Sequence, residues 1–155
     1  MNSEALNETV LKNVRPEVEA WLAEFVERNG GFVGSVHLAE LAGEGAVALV
    51  AAHNLPASVR NGTATVPFGK GMAGTAALRQ ESVAVPDYQT DTTGVTAPAG
   101  RAAGSRASLT LPVFDPEDDI KLLAVVGLGF RELRDFTAED IAKYNTDATT
   151  VLAVI

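Results

Sequence analysis

A glycine-rich turn followed by small residues is the segment of this sequence with the clearest chemical potential. Gly69-Lys70-Gly71 precedes residues 72–79, which predict a short helix. The first amides of a helix have no acceptor within it and carry partial positive charge, so a helix start can bind an anion. The alternative is that the glycines only permit a tight turn and close helix–sheet packing. We expect a ligand to contact the first helical turn, which contains Met72, Ala73, Gly74 and Thr75.

Alternating polar residues on a later strand form the second candidate group. Within residues 105–114, apolar side chains alternate with Arg106, Ser108 and Thr110, which therefore share one face of a predicted strand. One guanidinium and two hydroxyls suit a small polar or anionic ligand. The alternative is an ordinary solvated strand face. Arg101, in the segment before this strand, is either a second cation for the ligand or an exposed loop residue.

Titratable and hydroxyl side chains near predicted strand ends complete the candidate set. Asp87 and Tyr88 follow a short predicted strand, and Ser35 and His37 lie on the first predicted strand. Aspartates after a strand are also common as ordinary turn residues. His37 and His53 raise the question of haem ligation, but without a second clear ligand we expect hydrogen-bonded histidines and no metal site.

The composition excludes several classes of chemistry. The sequence has no cysteine, which excludes disulfides, thiol catalysis, thiolate metal sites and cofactors tethered through sulfur. We also find no nucleophile–base pair, so we expect a protein that is not an enzyme and has no cofactor. The net charge of −8 disfavours binding to nucleic acid and to anionic membranes. Without a membrane-length apolar run or a signal peptide, the expected location is the cytoplasm.

The first third of the chain predicts a helical segment and then a β-hairpin. Apolar residues at helical spacing predict helix within residues 1–29, with a shorter helix before Pro16 because proline favours the first turn of a helix. Asn29-Gly30-Gly31 predicts the end of this segment. Residues 32–38 and 46–53 then predict two paired strands.

The rest of the chain predicts further strands and a closing helix. Residues 88–104 have no apolar period and predict a long loop, a feature common in binding segments. Residues 122–130 are apolar on both faces, which predicts a central strand. Thr137 is a good N-cap, and we expect one helix over residues 137–155.

This order of elements, together with five segments, resembles the GAF domain family. The resemblance runs from about Trp21 to the C-terminus. Each segment alone is unspecific, whereas five in the family's order are specific. The five segments are 66–77 (VPFGKGMAGTAA), 81–87 (ESVAVPD), 105–113 (SRASLTLPV), 125–130 (VVGLGF) and 135–140 (DFTAED).

The resemblance implies a single α/β (α+β) domain over residues 1–155. It implies an antiparallel sheet of five or six strands with the N- and C-terminal helices on one face. A short helix and a long loop would cover a pocket on the other face, where the family's pocket meets the strand of Arg106, Ser108 and Thr110.

The family's ligands range from cyclic nucleotides, bilins and haem to small metabolites and small anions, and some members only dimerise. Bilin attachment and free methionine sulfoxide reduction need cysteines, which this chain lacks. Phe130-Arg131-Glu132 stands where cyclic-nucleotide-binding members carry an Asn-Lys pair, so nucleotide binding is disfavoured.

We therefore expect a non-catalytic sensory module that binds a small polar or anionic ligand. It would signal through its terminal helices to an unidentified partner. Their apolar stripes, which include Val18, Leu22 and Phe25, predict a homodimer because they offer more apolar surface than one sheet face covers. The alternatives are an unliganded dimerisation module and, less favoured, a haem- or nucleotide-binding domain.

Overall fold

The computed structural model describes residues 5–91 and 104–155. Six strands form one antiparallel sheet in the order β3-β2-β1-β6-β5-β4, so the predicted fold class is confirmed. The elements in chain order are α1 (Glu8–Asn13), α2 (Pro16–Arg28), β1 (Val33–Leu38), a 3₁₀ helix (Glu40–Ala42), β2 (Ala46–His53), α3 (Ala57–Gly62), β3 (Thr65–Pro67), α4 (Gly71–Arg79), β4 (Val83–Val85), β5 (Ala107–Asp115), β6 (Asp118–Phe130), α5 (Ala138–Ala148) and a 3₁₀ helix (Thr149–Ala153).

The N-terminal segment is two helices, as the position of Pro16 predicts. Pro16 occupies the first turn of α2, where its missing N–H costs nothing. Gly30 follows α2 with a φ of +70°, a left-handed conformation that glycine adopts without strain. The prediction of a helical segment ending at residues 29–31 is confirmed.

The C-terminal helix begins where predicted and ends earlier. Thr137 accepts a hydrogen bond from the amide of Asp140, whose carboxylate accepts one from the amide of Thr137, a complete capping box. The expectation of one α-helix over residues 137–155 is wrong, because α5 ends at Ala148 and a 3₁₀ turn follows. In that turn the Thr150 hydroxyl donates to the carbonyl of Asp147, three residues earlier, as the tighter helix favours.

The terminal helices cover one face of the sheet and contact each other. The Arg28 guanidinium at the end of α2 forms two hydrogen bonds with the Asp147 carboxylate of α5, at 2.8 and 3.0 Å. This pairing lowers the pKa of Asp147. Trp21 of α2 donates to the Thr150 hydroxyl, so a second polar contact joins the two chain ends.

The apolar stripe of α2 packs on this chain's own sheet. Val18, Leu22 and Phe25 are fully buried in the main core cluster together with β-strand residues. These three residues of α2 therefore need no partner to cover them, whereas Ile155 at the other end of the chain is 37% exposed. A homodimer through the terminal helices stays a prediction, to be tested by light scattering at high micromolar concentration.

The opposite face of the sheet carries α4 and a second, smaller core. Ala76 and Ala77 of α4 are buried against strand residues that include Val47, Val85 and Val125. β6 lies between β1 and β5, so the predicted central strand is confirmed.

Within residues 5–91 and 104–155, no helix has the length and apolar character needed to cross a membrane.

Candidate ligand site

A cavity of about 390 Å³ lies between the sheet and the first turn of α4. Its described walls come from β1, α3, β3, β5, β6 and the start of α4. The predicted site residues on this wall are Met72, Ala73, Tyr88, Ser108, Thr110, Ser35 and His37. The structure therefore brings together residues that are up to 75 positions apart in the sequence, from Ser35 to Thr110.

The floor of the cavity is a patch of the sheet without large side chains. Gly127 of β6 lies between Ser35 of β1 and Thr110 of β5, its direct partners across the two strand pairs. Gly129 has Ser108 as its partner on β5. Two glycines on one face of the central strand thus leave a hollow bordered by hydroxyl groups.

Gly127 and Gly129 are site residues that the sequence reasoning missed. A Cβ atom on Gly127 would lie 2.7 Å from Ser35 Oγ, so even alanine would enter the space above the floor. The available signal was the pattern VVGLGF in residues 125–130, where glycines occupy alternate positions of a strand. Isolated glycines inside a strand often mark a close approach of another group.

Tyr88 closes one side of the cavity by linking α4 to β5. Its hydroxyl donates to Ser108 Oγ at 2.8 Å and lies 3.2 Å from Met72 Sδ. The tyrosine side chain is buried, so the phenol body packs in the second core while its polar tip reaches the cavity wall. Met72, Tyr88 and Ser108 therefore form one connected group on the cavity wall.

His37 lies on the cavity wall with 3% of its surface exposed. Its Nε2 is 2.9 Å from the carbonyl oxygen of Thr63, whereas its buried Nδ1 has no hydrogen-bond partner in the described part of the chain. Burial lowers the pKa of His37 to about 4, so the ring is neutral at pH 7. Among the described residues, no cluster of three or more histidine or acidic side chains could hold a metal ion.

Only some of the predicted contact residues at the start of α4 lie at the cavity. Met72 and Ala73 line the cavity, whereas Gly74 and Thr75 are buried elsewhere. The amide of Gly74 donates to the carbonyl of Lys70, so it is not among the unpaired amides that the start of a helix offers to a ligand. A Cβ on Gly74 would lie 2.2 Å from the carbonyl oxygen of Pro67, which identifies close packing as the reason for this glycine.

Arg106 and Asp87 pair with each other outside the described wall of the cavity. Arg106 Nε and Nη2 donate to the two Asp87 oxygens at 2.9 and 3.1 Å, a bidentate ion pair. The hydrogen bonds from Arg106 lower the pKa of Asp87. Of the three polar residues predicted on one strand face, Ser108 and Thr110 line the cavity, whereas Arg106 lies just before β5 and is not among the wall residues. Arg101 lies outside the described residues.

Comparison with known proteins identifies the family. The family model described as GAF domain matches residues 18–145, which is most of the chain. The chain belongs to the GAF domain family. No curated protein matches its sequence. GAF domains share a fold that is common in sensory and regulatory proteins.

Solved structures of this GAF domain's fold come from proteins with different roles. The GAF domain of a phosphoenolpyruvate-protein phosphotransferase from Coxiella burnetii has a TM-score of 0.67 at 20% identity, covering 94% of this chain and 87% of that one. A type II free methionine-R-sulfoxide reductase from Thermoplasma acidophilum has a TM-score of 0.68 at 16% identity, covering 90% and 89%. The second GAF domain of DevS from Mycobacterium smegmatis has a TM-score of 0.62 at 17% identity, covering 88% of each chain. Identities this low show a common fold.

Proposed function

We propose that this GAF domain is a sensory module that binds one small polar molecule in the cavity beneath α4. The observation that carries the proposal is the glycine and hydroxyl floor formed by Ser35, Gly127 and Thr110. A hollow that only served packing would be expected to hold apolar side chains, since cores are close-packed. A hollow bordered by hydroxyls offers hydrogen bonds to a polar guest.

The sheet connects the cavity to the terminal helices. Ser35 lines the cavity, and the neighbouring Gly34 lies under α2, where a Cβ would be 2.5 Å from Val26 Cγ2 and 2.9 Å from Leu22 Cδ1. A shift of β1 on ligand binding would therefore displace α2, which packs directly against it. Because Arg28 of α2 pairs with Asp147 of α5, both terminal helices would respond together. A signal to a partner would leave the domain by these helices.

A variant that fills the cavity tests this proposal. Ala73→Leu adds volume at the cavity wall on α4, and leucine is a good helix former. We expect native mass spectrometry of the freshly purified wild type to show a bound small molecule, and Ala73→Leu to lose it. The matched control is Ala142→Leu, on the exposed surface of α5, which should keep the molecule. If wild type and Ala73→Leu each appear only at the mass of their own polypeptide, without a guest, the proposal is contradicted.

We further propose that the domain is not an enzyme, although several proteins of similar fold are free methionine-R-sulfoxide reductases. Reduction of a sulfoxide by a thiol enzyme passes through a sulfenic acid and a disulfide, and both need cysteine. This chain contains none. We expect no consumption of free methionine sulfoxide by the purified protein with dithiothreitol, measured by chromatography of the amino acid. Multiple turnovers above a protein-free control would show the proposal to be wrong.

A further inference from the structure

His37 presents a hydrogen-bonding group that the fold itself leaves unused. His37 is one of the residues that line the cavity, and its buried Nδ1 has no partner among the described residues. Most buried polar side-chain atoms in proteins have a partner, so an unpartnered buried atom in a residue that lines a cavity is a candidate contact for a guest. This feature is independent of the start of α4.

The contact with Thr63 determines which hydrogen-bonding role Nδ1 has. A backbone carbonyl oxygen only accepts, so the ring nitrogen that lies 2.9 Å from Thr63 O must carry the proton. In a neutral imidazole the other nitrogen is then a bare lone pair. Burial lowers the pKa of His37 to about 4 and thereby keeps the ring neutral. Nδ1 is consequently a hydrogen-bond acceptor that has no donor among the described residues.

The other polar groups on the described wall do not determine the ligand's chemistry as strictly as His37 Nδ1 does. Ser35 and Thr110 carry hydroxyls, which can donate or accept and so tolerate many guests. Lys70 is the one charged side chain on the described wall, and it is exposed at the start of α4. A bare anion could meet these groups, but it has no proton to offer His37.

We propose, resting on the function proposed above, that the cavity selects an uncharged ligand with an N–H or O–H group that donates to His37 Nδ1, and discriminates against bare oxyanions. His37 is then the residue that determines specificity, and the hydroxyl floor holds the remainder of the ligand. The expected class narrows from small polar or anionic molecules to neutral molecules with a hydrogen-bond donor, such as primary amides.

Benzamide and benzoate are suitable probes, because they have nearly the same shape while only the amide has a donor. Binding to the wild type is measured by isothermal titration, and the ¹⁵N chemical shift of His37 Nδ1 reports on its lone pair. We expect benzamide to bind about tenfold more tightly than benzoate or better, since each tenfold corresponds to about 1.4 kcal/mol. We also expect benzamide alone to move the Nδ1 resonance.

His37→Phe removes the acceptor while keeping a planar ring, and should abolish the preference for benzamide. The control is His53→Phe, which changes the second histidine of the sequence. His53 is not among the described residues of the cavity wall, so this variant should retain the preference for benzamide. If His37→Phe does not fold, the wild-type Nδ1 shift remains decisive.

Three results would overturn the inference. They are benzoate binding as tightly as benzamide, benzamide binding without a change at Nδ1, and no binding of either compound at millimolar concentration. None of these three results would contradict the finding that a small molecule co-purifies with the wild type and is lost from Ala73→Leu. The proposed function and this inference can therefore fail independently.

Discussion

Gly74→Ala is expected to lower the free energy of unfolding by about 1–3 kcal/mol, the usual cost of forcing extra volume into a packed site. The added Cβ would lie 2.2 Å from the Pro67 carbonyl oxygen and 3.2 Å from the Gly69 nitrogen, both backbone atoms. These atoms cannot move aside easily, since the Gly69 amide donates to the Gly74 carbonyl and the Lys70 amide donates to Pro67. The loss would be measured by urea unfolding followed by circular dichroism.

Gly62→Ala is the matched control for this change. Gly62 lies at the end of α3, and a Cβ there would have no atom within 4 Å. Alanine is the better helix former, so the control should be neutral or stabilising by up to about 1 kcal/mol. Equal stabilities of the two variants would show that Gly74 is not required by packing.

Acidification is expected to weaken the fold through His37, by about 2 kcal/mol between pH 7 and pH 5. The pKa of His37 falls from 6.5 to about 4 on folding, because burial disfavours the charged ring. Between these two values the unfolded chain binds a proton that the folded chain does not. The stability that the neutral His37 ring contributes is therefore fully present above pH 6.5 and is lost as the pH falls toward 4.

The measurement compares urea unfolding at pH 7 and pH 5 for the wild type and for His37→Gln, which cannot titrate. The wild type should lose about 2 kcal/mol more than the variant over this interval. Carboxylates with a lowered pKa, such as Asp87 and Asp147, also lose stability in acid, and the comparison cancels their contribution. The same loss in wild type and His37→Gln would refute the assignment.

The two experiments on His37 are connected by one physical state of the ring. A neutral ring with its proton on Nε2 is what burial and the Thr63 carbonyl together favour. The same state leaves the Nδ1 lone pair as an acceptor for a guest. A ligand that donates to Nδ1 would stabilise the neutral ring further, so a bound amide should also reduce the protonation of His37 in the folded protein.

The order of elements was predictable from local signals in the sequence. Pro16, Gly30 and Thr137 mark helix boundaries through their own backbone chemistry, and each acts as expected in the structure. The alternation of residues along a strand likewise identified Ser108 and Thr110 as partners on one face. Such signals depend on residues a few positions apart, which is why they can be recognised without knowledge of the fold.

The errors concern contacts between segments that are distant in the sequence. Gly74 looked available to a ligand because nothing near it in the sequence shows that Pro67 will lie against its Cα hydrogens. The pairing of Arg106 with Asp87 was likewise not visible in the sequence, because the two residues are 19 positions apart. In the 3₁₀ turn that follows α5, Thr150 accepts a hydrogen bond from Trp21, which lies near the other end of the chain.

By itself, then, the sequence determined the GAF family, the α+β class, the helix starts and the polar candidates on each strand. Only the tertiary structure decided which candidates share a cavity, because strand register alone places Gly127 between Ser35 and Thr110. Register here depends partly on the pairing of β1 with β6, in which Ser35 and Gly127 are 92 positions apart in the sequence. A shift by one residue would turn these hydroxyls to the opposite face of the sheet. The unpaired nitrogen of His37 is likewise visible only in three dimensions, since it depends on where Thr63 lies.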